Sequence, residues 1–442
     1  MAGAAQHMIN PPEKIFAGKR GKDYPHRRQI GRKSVGGCNK SNNDRVGGRC
    51  GTANEGRSIC VPAVHSARGI EENDVLQAMN TDLKSSQTQQ QCCQALQWLA
   101  VPRGDRDKRT CQDELVASGC LDAVLKAMEV HVDSPSVQLE GIGALDKITS
   151  NHKKNTEHFI LHGGLEAVVQ AMDKHAEQQH LQERGVRVLL NAIACSADAQ
   201  TNVVSAGGIQ ALLQAMKTHL HAVALQEICC RALKELAAYN AGNQDNIHTH
   251  GGIETILRTM ELHVSQVSIQ VAGCGVLRNM TACSAAHQEA VAERGGVQAI
   301  IGGMLSHEDT ASVQWAACWA LFCVAVHNSE IQIQVAAHGA VRIALKALVK
   351  HQAEPKTQEA VLWLVKELAA QIAKDSSLFM NAVTAVLREM GATSPLVRKA
   401  AGSALRQLHA HDTEGRVKTT CLGRCGRLGR STTMKALEAI QE

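Results

Sequence analysis

Residues 251–294 read GGIETILRTMELHVSQVSIQVAGCGVLRNMTACSAAHQEAVAER, and at Gly295 the same pattern starts again. Three markers fix the register. A glycine opens the unit at Gly119, Gly163, Gly207, Gly251, Gly295 and Gly339. A histidine follows twelve residues later at His131, His175, His219, His263, His307 and His351, and a glutamine seven further on at Gln138, Gln182, Gln226, Gln270, Gln314 and Gln358. Each series advances by 44 residues without a slip. A period of that length marks a stacked array, in which one unit buries its apolar face only against the next.

Inside the unit the apolar spacing is helical. Ile253, Ile256, Leu257 and Met260 form one stripe at i, i+3, i+4 and i+7; Ile269, Gly273, Val276, Leu277 and Met280 form another. Pro135, Pro355 and Pro395 share one register, three residues before the marker Gln or its equivalent. Proline is tolerated at the first helical position, so the second stripe starts a helix there, with Ser134 and Ser394 as caps. The glycine pairs mark a turn that needs left-handed backbone or close approach. Each unit is expected to be a short helix, a turn and two longer antiparallel helices.

The first unit begins near Ile70 and continues through SSQTQQQCCQALQWLA. From Met79 to Met128 is 49 residues, and the excess falls on the charged stretch PRGDRDKRTCQ, read as a lengthened loop. Met128, Met172, Met216, Met260 and Met304 then recur every 44 residues, and a degenerate last unit runs from about Ser376 through Met390 to Leu408. That makes about eight units over residues 69–410.

Composition fits this architecture. Aromatics are 2% of the chain, so the core is built from Leu, Ile, Val, Ala and Met. The sixteen cysteines show no disulfide-like spacing, and many, such as Cys92, Cys93, Cys229, Cys230 and Cys274, sit inside helical patterns as buried free thiols. No apolar run approaches the ~20 residues of a membrane span, and no signal-peptide core opens the chain. A soluble cytoplasmic protein, with nuclear residence as an option, is the expectation. Residues 1–70 carry thirteen Lys/Arg against four Asp/Glu, whereas residues 71–410 carry 28 against 34. Residues 1–68, without hydrophobic period, are expected to form a disordered basic arm, and residues 411–442 a mostly flexible tail. The pairs Lys19-Arg20, Arg27-Arg28 and Arg32-Lys33 would serve as an import signal, a weak nucleic-acid contact, or simply a solvated tail.

The units resemble armadillo repeats, three-helix repeats of about 42–44 residues. The phrasing GGI…L..M..H…S.VQ…G…L.N is similar to armadillo arrays of protists and to the armadillo segment of leucine-rich-repeat kinases. The resemblance implies an all-α, right-handed solenoid, and a non-enzymatic scaffold that receives an extended peptide or a partner helix in its concave groove.

Little in the sequence carries chemistry. The six-fold histidine ladder suits helix C-termini, whose carbonyls and dipole accept such side chains, better than a shared metal. Cys421 and Cys425 form a lone C-x₃-C without a second pair, and Cys38, Cys50 and Cys60 add no spacing of their own. There is no phosphate-binding loop, nucleophile elbow or H-E-x-x-H motif. No enzyme, cofactor or metal is expected.

In armadillo arrays the last helix of each unit lines the groove. With its central Leu as reference, positions −6, −2 and +2 share one face. All four tryptophans fall there: Trp98, Trp315, Trp319 and Trp363, with Glu367 following. Units three and four place Glu183, Arg187 and Asn191, then Glu227, Arg231 and Glu235, on the same positions. Partner-binding candidates are therefore Trp315, Trp319, Trp363, Glu367, Arg187, Asn191 and Arg231. The plainer account packs the indoles between units and pairs Glu183 with Arg187 and Glu227 with Arg231 along their helices. Alternative functions are a nuclear-import adaptor and a regulatory subunit of a kinase or nucleotide-exchange assembly. The import-receptor family carries a Trp followed four residues on by an Asn. Here Trp319 is followed by Cys323 and Trp363 by Glu367, while Asn191 and Asn279 follow Arg187 and Gly275.

Overall fold

The computed structural model describes residues 71–102, 107–372, 384 and 395–411. The basic arm with its Lys/Arg pairs, the tail, Cys38, Cys50, Cys60, Cys421 and Cys425, and the Ser376–Met390 part of the last unit lie outside them. Among the described residues there are 22 helices and no strand.

Unit one consists of α1 (Glu72–Thr81) and α2 (Ser86–Leu99). Unit two is α3 (Lys108–Ala117), α4 (Cys120–Val130) and α5 (Pro135–Thr149). Unit three is α6 (Lys153–Leu161), α7 (Gly164–Lys174) and α8 (Gln179–Ile193). Unit four is α9 (Ala197–Ser205), α10 (Gly208–Thr218) and α11 (Val223–Ala237). Unit five is α12 (Ala241–Thr249), α13 (Gly252–Leu262) and α14 (Val267–Thr281). Unit six is α15 (Ala285–Glu293), α16 (Gly296–Ser306) and α17 (Ala311–Ala325). Unit seven is α18 (Ser329–Ala337), α19 (Ala340–Lys350) and α20 (Pro355–Glu367), followed by the single turn α21 (Ala369–Ile372) and by α22 (Pro395–His411).

The marker glycines sit between the first and second helix of each unit, in the left-handed region, with φ between 74° and 86°. A side chain there would strain the backbone, which is why glycine recurs at this point. Proline opens α5, α20 and α22 as its register requires. Ser134 does occupy the cap position of α5, but its hydroxyl faces Ser136 Oγ at 3.1 Å and does not cap the helix. Of the charged stretch after Pro102, residues 103–106 lie outside the described residues, and the rest is not the loop expected. Lys108 to Gln112 are helical in α3, because the Asp107 carboxylate accepts a bond from the Thr110 amide at 2.9 Å.

The marker side chains tie helices together within and between units. Gln138, Gln182, Gln226, Gln270 and Gln314 are buried, and each donates from Nε2 to the carbonyls of the preceding Met and His, which end the second helix. Helix ends leave such carbonyls unpaired, and a buried amide satisfies two at once. Each histidine reaches in the other direction. His175, His219, His263, His307 and His351 place Nε2 2.7–2.9 Å from the carbonyl oxygen of the residue after the previous unit's histidine. A carbonyl only accepts, so Nε2 carries the proton. The ladder is a helix-end device, as its position implies, but its bond crosses the unit boundary.

The second helices form one layer and the third helices another, each packed on its counterparts in adjacent units. One apolar core runs without a break from Val75 to Leu408. The buried thiols belong to it: desolvation pushes Cys92, Cys230 and Cys274 up to about 12. They stay protonated near neutral pH and serve as small apolar side chains. No helix among the described residues is long and apolar enough to cross a membrane.

Candidate functional site

The third helices α2, α5, α8, α11, α14, α17, α20 and α22 lie side by side. Their 15-residue lengths in α5, α8, α11, α14 and α17 give four turns, enough for the positions −6, −2 and +2 to line up as three rows. Those positions are exposed or half-buried except Gly143 and Cys323.

Trp315, Trp319 and Trp363 are half-buried and rest on the core. Trp319 meets Phe322 edge-on at 5.6 Å between ring centroids, and Phe322 meets Trp363 of the next unit at 6.1 Å. Phe322 thus joins the two indoles across the boundary. It is 8% exposed, so it acts as the floor of the aromatic group. Sequence spacing did not single it out, although a phenylalanine in a chain with four of them, between two Trp registers, was a usable signal.

Cations already stand on two of the rings. Arg278 of α14 lies 6.0 Å from the Trp315 centroid, and Lys366 Nζ lies 4.5 Å from that of Trp363. Both fit the attraction of a cation to an aromatic face. Burial raises the Glu359 carboxyl above its ordinary range, against the opposing pull of the nearby Trp363 indole. Glu367 Oε1 accepts from Gln332 Nε2 at 2.9 Å and from the His327 amide at 3.2 Å. That oxygen fixes the entry to α18.

The charged rows of units three and four are arranged differently. Arg187 and Arg231 are exposed. Neither closes the helical ion pair that its spacing suggests, among the described residues: Glu183 receives Gln179 Nε2 at 2.9 Å, and Glu227 receives the Ser268 hydroxyl at 2.9 Å. Asn191 donates to Asp146 Oδ1 in unit two at 3.1 Å, and Asn279 donates to the Lys234 carbonyl in unit four at 2.9 Å. Asp146 is buried, and desolvation raises its carboxyl against the opposing pull of Arg187 and Lys147. Trp98 stands half-exposed in unit one, away from the other three indoles.

No protein-family model and no curated protein matches the chain. Solved structures do. An engineered protein superimposes with a TM-score of 0.59 at 18% identity, over 77% of this chain and 86% of its own. A structure reported for a phosphorylation switch controlling the interaction between cadherin and beta-catenin gives 0.57 at 15% identity, over 76% and 77%. A designed armadillo repeat protein gives 0.48 at 17% identity, over 57% and 100%. The fold is an all-α solenoid of stacked helical units.

Proposed function

We propose that the chain is a non-enzymatic interaction scaffold whose third-helix face receives an extended peptide or a partner helix, centred on Trp315, Trp319 and Trp363. The observation that carries this is the Trp319–Phe322–Trp363 group, presented half-open across two units in a chain with almost no other aromatics. Indoles offer large apolar area at little cost in side-chain entropy, and Trp dominates many binding surfaces. Arg278 and Lys366 stand at the same rings, so the fitting segment carries apolar anchors with an acidic residue beside them. Asn191 and Asn279 give amide hydrogens to the preceding unit, which leaves the import-adaptor alternative without support.

Selection of a displayed random-peptide library on the full chain tests this. Selected peptides should share an apolar–acidic pattern, and Trp319→Ala should weaken them by about 2 kcal/mol or more, roughly 30-fold. Peptides that bind Trp319→Ala and Trp363→Ala as well as the wild type would place the binding face elsewhere.

A further inference from the structure

On the opposite side of the array, the junction of units two and three holds a group of side chains that the interaction face does not use. The short helix α6 carries His158, and His162 ends it. Four-residue spacing puts both rings on one side of the helix, with centroids 4.0 Å apart. Facing them is Asp122, from the first turn of α4. Its Oδ1 lies 2.5 Å from His162 Nδ1 and 3.6 Å from His158 Nε2, and the three atoms all lie within 4.8 Å of one another. His158 Nε2 is hidden from solvent and has no hydrogen-bond partner. A buried polar atom left unpaired is uncommon and calls for an explanation.

The period separates what is general here from what is particular. In units five, six and seven the residue before the marker glycine reaches back 40 positions to the second helix of the preceding unit: His250 to Gln210, Arg294 to Glu254, His338 to Gln298. His162 with Asp122 follows the same rule, and that contact alone needs no ligand. His158 does not follow it. The same register holds Asn202, Asn246, Ala290 and Gln334 in the later units. Among the described residues, two imidazoles and a carboxylate converge in this way at this junction alone.

We propose that Asp122, His158 and His162 bind a divalent transition-metal ion of the zinc type, clamping unit two to unit three. Bonds of about 2.0–2.2 Å in a tetrahedral site set ligand atoms about 3.4 Å apart, and the observed separations of 2.5 and 3.6 Å bracket that spacing. Binding opens the Asp122–His162 hydrogen bond: the proton leaves Nδ1, Nε2 carries it, and Nδ1 becomes a ligand. Two nitrogens and one oxygen suit zinc, nickel or cobalt, whereas calcium and magnesium demand oxygen ligands. Asp122 and His162 are exposed, so a fourth position stays open to water. It faces a hollow of about 500 Å³ that Glu166 also lines.

Cobalt(II), a zinc substitute with visible absorption, is the probe. Titrated into the full chain, it should give one equivalent of a tetrahedral-type spectrum that zinc displaces. Zinc should also raise the melting temperature. His158→Asn and His162→Ala should each bind about tenfold more weakly or worse and lose the zinc-dependent shift. Both are residues that unit four carries in the same registers, Asn202 and Ala206, so the variants keep a side chain the fold already accepts. Should either fail to melt as the wild type does without metal, the near-isosteric Asp122→Asn replaces it, with the same expected loss. His250→Ala, an exposed histidine two units on, should change nothing. Wild type and the site variants titrating alike, or His250→Ala losing as much as they do, would overturn the proposal by placing the ion elsewhere.

Discussion

Gln270 donates from one amide nitrogen to two main-chain oxygens, those of Met260 at 2.7 Å and His263 at 3.2 Å. Gln226 does the same, and its Oε1 also accepts the Thr259 hydroxyl at 2.9 Å. In the next unit that threonine register holds Gly303, and Gln270 Oε1 has no partner. Gln270→Met therefore strands two helix-end carbonyls and should cost about 2–4 kcal/mol in urea unfolding; Gln226→Met should cost about 1 kcal/mol more. Equal losses would mean that the Thr259 bond contributes nothing net. Asp146 offers the matching electrostatic test. Burial raises its carboxyl, so the folded chain holds that proton more tightly than the unfolded one does. Its contribution to stability is present at low pH and is lost as pH rises from the unfolded value, about 3.9, through the folded one. Asp146→Asn should thus melt higher than the wild type near neutral pH, with the advantage shrinking toward pH ~4. An advantage that grows on acidification would reverse the assigned cause.

The short helices open at His152, Ser196, Asn240, Ser284 and Asn328, another series at 44-residue intervals, and each side chain accepts the amide three residues on. Asn240→Ala should cost about 1 kcal/mol, and Asn240→Gly only a few tenths, read from thermal melts. A third-helix test bears on the interaction face. Trp319 is half-buried on Phe322, so Trp319→Ala should cost about 1–2 kcal/mol of stability, less than the ~3–5 kcal/mol of a core aromatic. These elements also show what a sequence can carry. The glycine turns and the proline starts of α5 and α20 were readable because each follows from one residue's backbone. The targets of the Gln and His ladders were not, because main-chain carbonyls are the acceptors and leave no letter in the sequence. Phe322 beneath Trp319, the anchoring of Glu367 to Gln332, and the approach of Asp122 to His158 depend on how one unit is set against another.

The strong helix contacts join each unit to those beside it in the chain, and the apolar core is a single file from Val75 to Leu408. Residues 69–410 hold every core side chain named here, so we expect that segment to fold without the arm and to give a strongly helical circular dichroism spectrum. Loss of its cooperative melt on removing the arm would contradict that. A sharper test follows from nearest-neighbour stacking, in which stability is a sum of unit and interface contributions. Leu277 of α14 is fully buried at the centre of unit five. Leu277→Ala should cost about 2–5 kcal/mol through lost burial and the cavity left behind. Among the described residues, the strong helix contacts of unit five run to units four and six, so the lesion should show locally. Amide hydrogen exchange should accelerate in α11, α14 and α17, while α5 and α20 keep nearly wild-type protection. The histidine bonds cross successive unit boundaries in series, and they give the opposite outcome a physical route. If exchange rises by the same factor from α5 to α20, the interfaces are stronger than the units, and the array opens as one cooperative body.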